Sequence, residues 1–129
     1  MGSTDLEEFL STLYHSLRTE RRRNVIRFLQ EAEKRTLTTS QLARTIAGSE
    51  MGVPVNHATG EPYRNAYNAL SQTHLPTLSD AGIIIYDPKR QLISSGAHFE
   101  LVTLLLDTNT STVDIVVGLT ADSNRDDTE

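Results

Sequence analysis

The sequence predicts a mainly α-helical fold closed by one small β-hairpin, with an extra helix at each end. Three observations carry this. Five stretches place apolar residues three and four apart, the period of a helix with one buried face. Two independent start signals converge on Thr38. Thr38 and Gln41 form a capping box, and Leu37 and Leu42 stand at the positions of a hydrophobic staple. Finally, the β-branched and aromatic run Ile83-Ile84-Ile85-Tyr86 meets the turn Asp87-Pro88-Lys89-Arg90 and returns through Gln91-Leu92-Ile93.

The totals narrow the classes. The chain has 129 residues, which fits one domain over 1–120 with a core at 19–93, flanking elements at 5–17 and 97–120, and an acidic, disordered tail at 121–129. There are no cysteines, so disulfides and thiolate metal sites are excluded. No run of ~18 apolar residues predicts a transmembrane helix, and the N-terminus lacks the basic segment of a secretory signal. The expected setting is cytoplasmic. Net charge is −5 and the isoelectric point about 5.3, which opposes a phosphate-dominated partner. The charge is uneven, however. Residues 18–35 hold seven bases against Glu20, Glu31 and Glu33, whereas after Arg90 the only base is Arg125.

The first helix, about 5–17, carries the stripe Leu6, Phe9, Leu10, Leu13, Leu17, with Thr4 and Glu7 as a capping box. The stripe serves either core packing within one chain or a dimer contact. The second, about 20–34, places Arg22, Val25, Ile26, Leu29 and Ala32 on one face, with Lys34 and Arg35 at the end where the helix dipole favours cations. Its run Arg21-Arg22-Arg23 points in three directions. Some of these stems lie on the core, while Arg21 and Arg22 are candidates for phosphate contact. The third helix starts at the Thr38 cap, buries Leu42 and Ile46, and ends near Gly48. Its N-terminus exposes Ser40 and Gln41, where free amides suit a phosphate. A loop over 49–60, rich in turn residues, has room for one extra helical turn.

The stretch 61–82 reads as one long helix, with Pro62 at its start and Gly82 just past its end. Tyr63, Tyr67, Leu70, His74, Leu78 and Ala81 share its inward face. Arg64, Asn65, Asn68, Ser71 and Gln72 share the other, and these side-chain types reach base edges in a DNA groove. Pro76 predicts a kink near 72–75, or two pieces meeting there. In the hairpin, Lys89 and Arg90 sit at the tip and suit phosphates or a minor groove. A last helix, about 97–107, is apolar on most sides and so needs a second surface, expected on a partner chain beside the first helix. Residues 112–120 alternate as a strand does, although a helical continuation fits too.

Helix, helix, turn, helix and hairpin in this order make the winged helix-turn-helix plan, with extra N- and C-terminal helices for dimerisation. The segment Thr73-His-Leu-Pro-Thr-Leu-Ser-Asp-Ala-Gly-Ile-Ile-Ile-Tyr-Asp87 resembles the end of the recognition helix and the wing strand of arsenic-repressor-like winged-helix regulators. The proline and the Tyr-Asp pair, with Glu20-Arg-Arg-Arg-Asn-Val-Ile-Arg-Phe-Leu29, resemble winged-helix domains from haloarchaea. Scarce lysine and excess acid fit a salt-loving source. The resemblance covers about 19–92 and implies a dimeric DNA-binding transcriptional regulator.

The remaining chemistry is sparse. His15, His57, His74 and His98 stand at no metal-ligand spacing, so no metal and no cofactor is expected, and His74 reads as a packed helix residue. No phosphate-cradling glycine loop or nucleophile elbow is present, and no enzyme activity is expected. The expected partner is double-stranded DNA, bound by a homodimer, with Arg64 suited to guanine and Asn68 to adenine. The alternative is a winged-helix protein–protein adaptor, which the acidic balance and apolar last helix favour. A sensor with a ligand pocket between subunits is a third reading, for which the sequence names no effector.

Overall fold

The computed structural model describes residues 3–108, and side chains over 5–107. The expectations for 112–120 and for the acidic tail lie outside the described residues. Nine principal elements follow in order: α1 (Ser3–Ser16), α2 (Glu20–Glu31), β1 (Thr36–Thr38), α3 (Thr39–Met51), α4 (Gly60–Ala69), α5 (Leu75–Asp80), β2 (Ile84–Asp87), β3 (Leu92–Ser95) and α6 (Phe99–Thr108). The fold is mainly helical with a small three-stranded antiparallel sheet of order β1-β3-β2, consistent with a winged-helix arrangement.

The helix starts and ends follow from local chemistry. Thr19 caps α2 by accepting from the Arg22 amide at 3.2 Å. α2 stops at Glu31, three residues short of the expected end. Ala32 is extended there, and Lys34 and Arg35 adopt positive φ in a short 3₁₀ turn that swings the chain into β1. The predicted capping box of α3 is present: Thr38 Oγ1 accepts from the Gln41 amide (3.1 Å), and Gln41 Oε1 accepts from the Thr38 amide (2.9 Å). α3 runs to Met51 rather than Gly48 and ends at Gly52, whose φ of 69° suits a residue without Cβ. The following loop contains one 3₁₀ turn, Val55–His57.

Two α-helical pieces, α4 and α5, meet at residues 70–74 just before Pro76, one of the two arrangements expected from the sequence. Helical backbone runs from Gly60 to Asp80 through a π-turn at Leu70–His74, closed by the Leu75 amide on the Leu70 carbonyl. Pro76 then falls in the first turn of α5, where a missing N–H is tolerated. The π-turn uses one residue more than an α-turn. Leu75 and Leu78 are therefore the fully buried positions after it, while His74 is only half-buried. Leu75 thus takes the buried position that the helical spacing assigns to His74. The helix closes as expected at Gly82, φ 75°. The Gly82 amide donates to Ser79 O and the Ile83 amide to Leu78 O, the pair of bonds of a Schellman cap.

The wing pairs Ile84 with Ser95 and Asp87 with Leu92. β1, three residues too short to read as a strand, adds to the other side of β3 with Leu37 opposite Ile93. What the sequence suggested as a hairpin is thus a three-stranded sheet. Its inner residues Ile84 and Ile93 join Val25, Ile26, Leu29, Leu42, Ile46, Leu70, Leu75 and Leu78 in one core.

The end helices are part of that core. α1 contributes Leu13, with Leu17 just after it, and α6 contributes Phe99 and Val102 against α2. Phe99 and Val102 of α6 are therefore satisfied within their own chain. Leu6 and Leu101 stay exposed at 58% and 39%. Among the described residues no helix is long and apolar enough to cross a membrane.

Candidate nucleic-acid interface

The long helix presents its polar residues outward because Ala66 and Leu70 fix the opposite side in the core. Arg64, Asn65, Asn68 and Gln72 are exposed, and Ser71 is half-exposed. The side chains of Arg64, Asn65, Asn68 and Gln72 have no hydrogen-bond or ionic partner among the described residues. Ser71 makes one long bond, 3.4 Å, to the Asn68 carbonyl. Five of the predicted readers thus share one solvent-facing arc over about two turns. Glu61, also exposed, lies on the same arc and was not among the sequence candidates. A carboxylate there can accept from a cytosine amino group but repels phosphate.

The arginine run behaves differently. Arg22 is 7% exposed. Its Nε donates to Ser16 O at 2.8 Å and its Nη2 to His15 O at 3.3 Å. Arg23 donates to Leu17 O (2.7 Å) and Arg18 O (3.0 Å). The two guanidinium groups satisfy carbonyls left over at the C-terminal end of α1. The expectation that Arg22 holds a phosphate is overturned by its burial. Burial lowers the Arg22 pKa from its ordinary value, and the nearby charge of Arg18 adds to this. Arg21 is more accessible, but its guanidinium forms a two-bond pair with Glu50 of α3 at 2.9 and 2.6 Å. That pair clamps α2 to α3.

His74 faces the same region. Its Nδ1 is buried without a hydrogen-bond partner. Its pKa lies below the ordinary value, chiefly through burial, then through the charges of Arg22 and Arg21, with Glu50 opposing. Among the described residues no three His, Asp or Glu side chains gather as a metal site requires.

At the α3 N-terminus, Ser40 Oγ lies 2.8 Å from the Tyr63 hydroxyl, tying α3 to the start of α4. Arg44 lies over the Tyr63 ring, 5.4 Å from its centroid. Gln41 is exposed, with its carbonyl oxygen engaged in the cap. Gln91 joins the wing to this end of α3. Its carbonyl accepts from the Thr39 amide at 3.0 Å, and its side-chain oxygen lies 2.7 Å from Thr39 Oγ1 and 3.1 Å from the Tyr86 hydroxyl. Gln91 Nε2 donates to Pro88 O at 2.9 Å, which holds the turn itself. The wing tip is therefore braced against α3. Lys89 is exposed there with no side-chain partner among the described residues, and Arg90 is 80% exposed, 3.9 Å from Asp87.

Sequence reasoning missed Arg44, Gln91 and the aromatic brace. The pairings that tie these groups across elements, Arg44 and Ser40 to Tyr63 and Gln91 to Thr39, span 19 to 52 residues, and no local pattern announces them. What the arrangement offers is an arc of neutral hydrogen-bonding groups with one cation, Arg64, and one carboxylate, Glu61, and further cations on a braced turn.

No curated protein and no solved structure matches the chain. A family model described as a domain of unknown function, DUF7344, matches residues 14–94, from the last turn of α1 to β3. The match spans well over half of the chain, which belongs to the DUF7344 family.

Proposed function

We propose that the protein is a sequence-specific DNA-binding transcriptional regulator of winged helix-turn-helix type. α4 lies in the major groove and the wing rests on flanking DNA. The observation that carries this reading is the exposed arc Arg64, Asn65, Asn68, Gln72, whose side chains have no hydrogen-bond or ionic partner among the described residues. Folding leaves these groups available to base edges. Ser71 belongs to the same arc, Gln41 approaches DNA from the α3 N-terminus, and Lys89 and Arg90 supply phosphate contacts. Ser40 acts through Tyr63, and Arg21 contributes only when its pair with Glu50 opens. In a salt-rich cytoplasm such as the composition fits, phosphate contacts contribute little. Base contacts then dominate, and an acidic domain is compatible with DNA binding.

The active form in this proposal is a homodimer. Phe9 of α1 meets His98 edge to face at 4.8 Å. Exposed Leu6 and Leu101 each lie three residues from that contact and extend its apolar surface towards a second copy. The same exposed leucines favour the second reading, a protein–protein adaptor that binds no DNA.

Selection of bound sequences from a random DNA pool, followed by gel shifts at low and high salt, tests the proposal. The expected result is a two-fold symmetric site whose recognition survives high salt. Failure to retain any DNA, together with a stable dimer or hetero-complex in sizing, leaves the adaptor.

A further inference from the structure

Tyr63, Arg64, Tyr67 and Asn68 line an open notch of about 280 Å³ on the surface of α4. Positions i, i+1, i+4 and i+5 of a helix bracket one hole in its surface. Two walls of this hole are aromatic and two are polar. One aromatic wall, Tyr63, is held in place from α3, and the other leans on it. The Tyr63 hydroxyl is bonded to Ser40 (2.8 Å), its ring lies beneath Arg44 (5.4 Å), and the Tyr67 ring is tilted against it at 6.1 Å. The polar walls, Arg64 and Asn68, are exposed and without side-chain partners among the described residues.

We propose that this notch receives the C5 methyl group of a pyrimidine standing in the major groove. The inference rests on the DNA-binding reading above and assigns it one base contact. A small apolar wall beside Arg64 and Asn68 calls for a small apolar group flanked by donors and acceptors. In the major groove that group is the C5 methyl, exposed on thymine next to the O4 acceptor. A phosphate would find one cation there, and backbone amides already bonded within the helix. The ordered Tyr63 ring makes the wall a preformed one. Asn68 on an adenine leaves the methyl of a neighbouring thymine facing Tyr67.

The test uses the DNA site selected by the full-length protein, resynthesised with each thymine replaced in turn by deoxyuridine. A parallel series carries 5-methylcytosine for each cytosine and separates the two sources of the methyl group. Affinities are measured by fluorescence anisotropy. At one position per half-site, loss of the methyl should weaken binding about fourfold, the factor equivalent to ~0.8 kcal/mol for one buried methylene-sized group. A gain confined to 5-methylcytosine supports the notch with a methylated operator as its target. Tyr67→Ser should bind DNA yet lose the distinction, and Tyr67→Phe should keep it. Tyr67→Trp fills the notch, retains the packing, and should abolish the distinction even if Tyr67→Ser is too unstable to assay.

Wild-type binding indifferent to the C5 substituent at every position overturns the notch and leaves DNA binding standing. So does a methyl effect that persists unchanged in Tyr67→Ser or Tyr67→Trp. Absence of any DNA binding overturns both.

Discussion

Two groups of arginine in this molecule meet opposite fates. In the run 21–23, the densest basic cluster in the sequence, Arg22 and Arg23 are spent on the carbonyls of His15, Ser16, Leu17 and Arg18. Arg64 stands alone in its sequence neighbourhood and reaches solvent. The difference lies in the backbone each one meets. The end of a helix leaves its last carbonyls without intrahelical donors, and a cation within reach is claimed by them. The middle of a helix has no such carbonyls, so a side chain there stays available. Charge density alone does not tell which cations stay free; the position of a cation relative to a helix C-terminus separates the two kinds.

Four measurements break or sharpen this contrast, in order of expected size. Arg22→Met removes two charge-assisted bonds and should cost about 3 kcal/mol of stability, taking each bond near the lower end of its usual range. Urea unfolding reads this directly, and a loss below ~1 kcal/mol would return Arg22 to the surface class. Arg64→Ala should leave unfolding unchanged within about 0.5 kcal/mol. It should instead weaken binding by roughly 1–3 kcal/mol at a single base pair. An equal loss on all DNA sequences would make it a phosphate contact.

A pH titration probes the ground between the clusters, because His74 lies under the influence of Arg22 and Arg21. The folded chain holds His74 below its ordinary pKa of 6.5, while the unfolded chain takes up the proton near that value. Stability is therefore fully present above about 6.5 and falls as pH drops below it, down to the folded pKa. Melting temperatures followed down to about pH 5 should show this fall, and His74→Gln should reduce it. The smallest effect is expected at the α2–α3 clamp. Glu50→Gln should cost no more than ~1 kcal/mol, because both partners are substantially solvent-accessible. If freed Arg21 reaches DNA, the same variant binds more tightly at low salt.

Features set by neighbouring residues were legible before the structure. The Thr38–Gln41 capping box, the Gly82 cap and the wing turn each depend on groups within about five positions. The polar arc of α4 was legible from its helical spacing, and the structure leaves those side chains outward. Features that need long-range partners were not. β1 is three residues long and exists because Leu37 can pair opposite Ile93. The brace from Thr39 to Gln91 crosses 52 positions. The end of α2 was misplaced because Lys34 and Arg35, ordinary helix formers, are turned to positive φ by the demands of β1 and Phe99, over whose ring Arg35 lies.

The π-turn at Leu70–His74 has a consequence for sequence length. Five residues there fill the space of a four-residue turn, so α4 and α5 keep their own inward faces across one surplus residue. Deleting one residue among Ser71, Gln72 and Thr73 restores a plain α-turn and leaves Leu75 and Leu78 pointing inward. Adding one rotates α5 by about 100° about its axis and expels both leucines. The helix can thus shed a residue from this turn but not gain one.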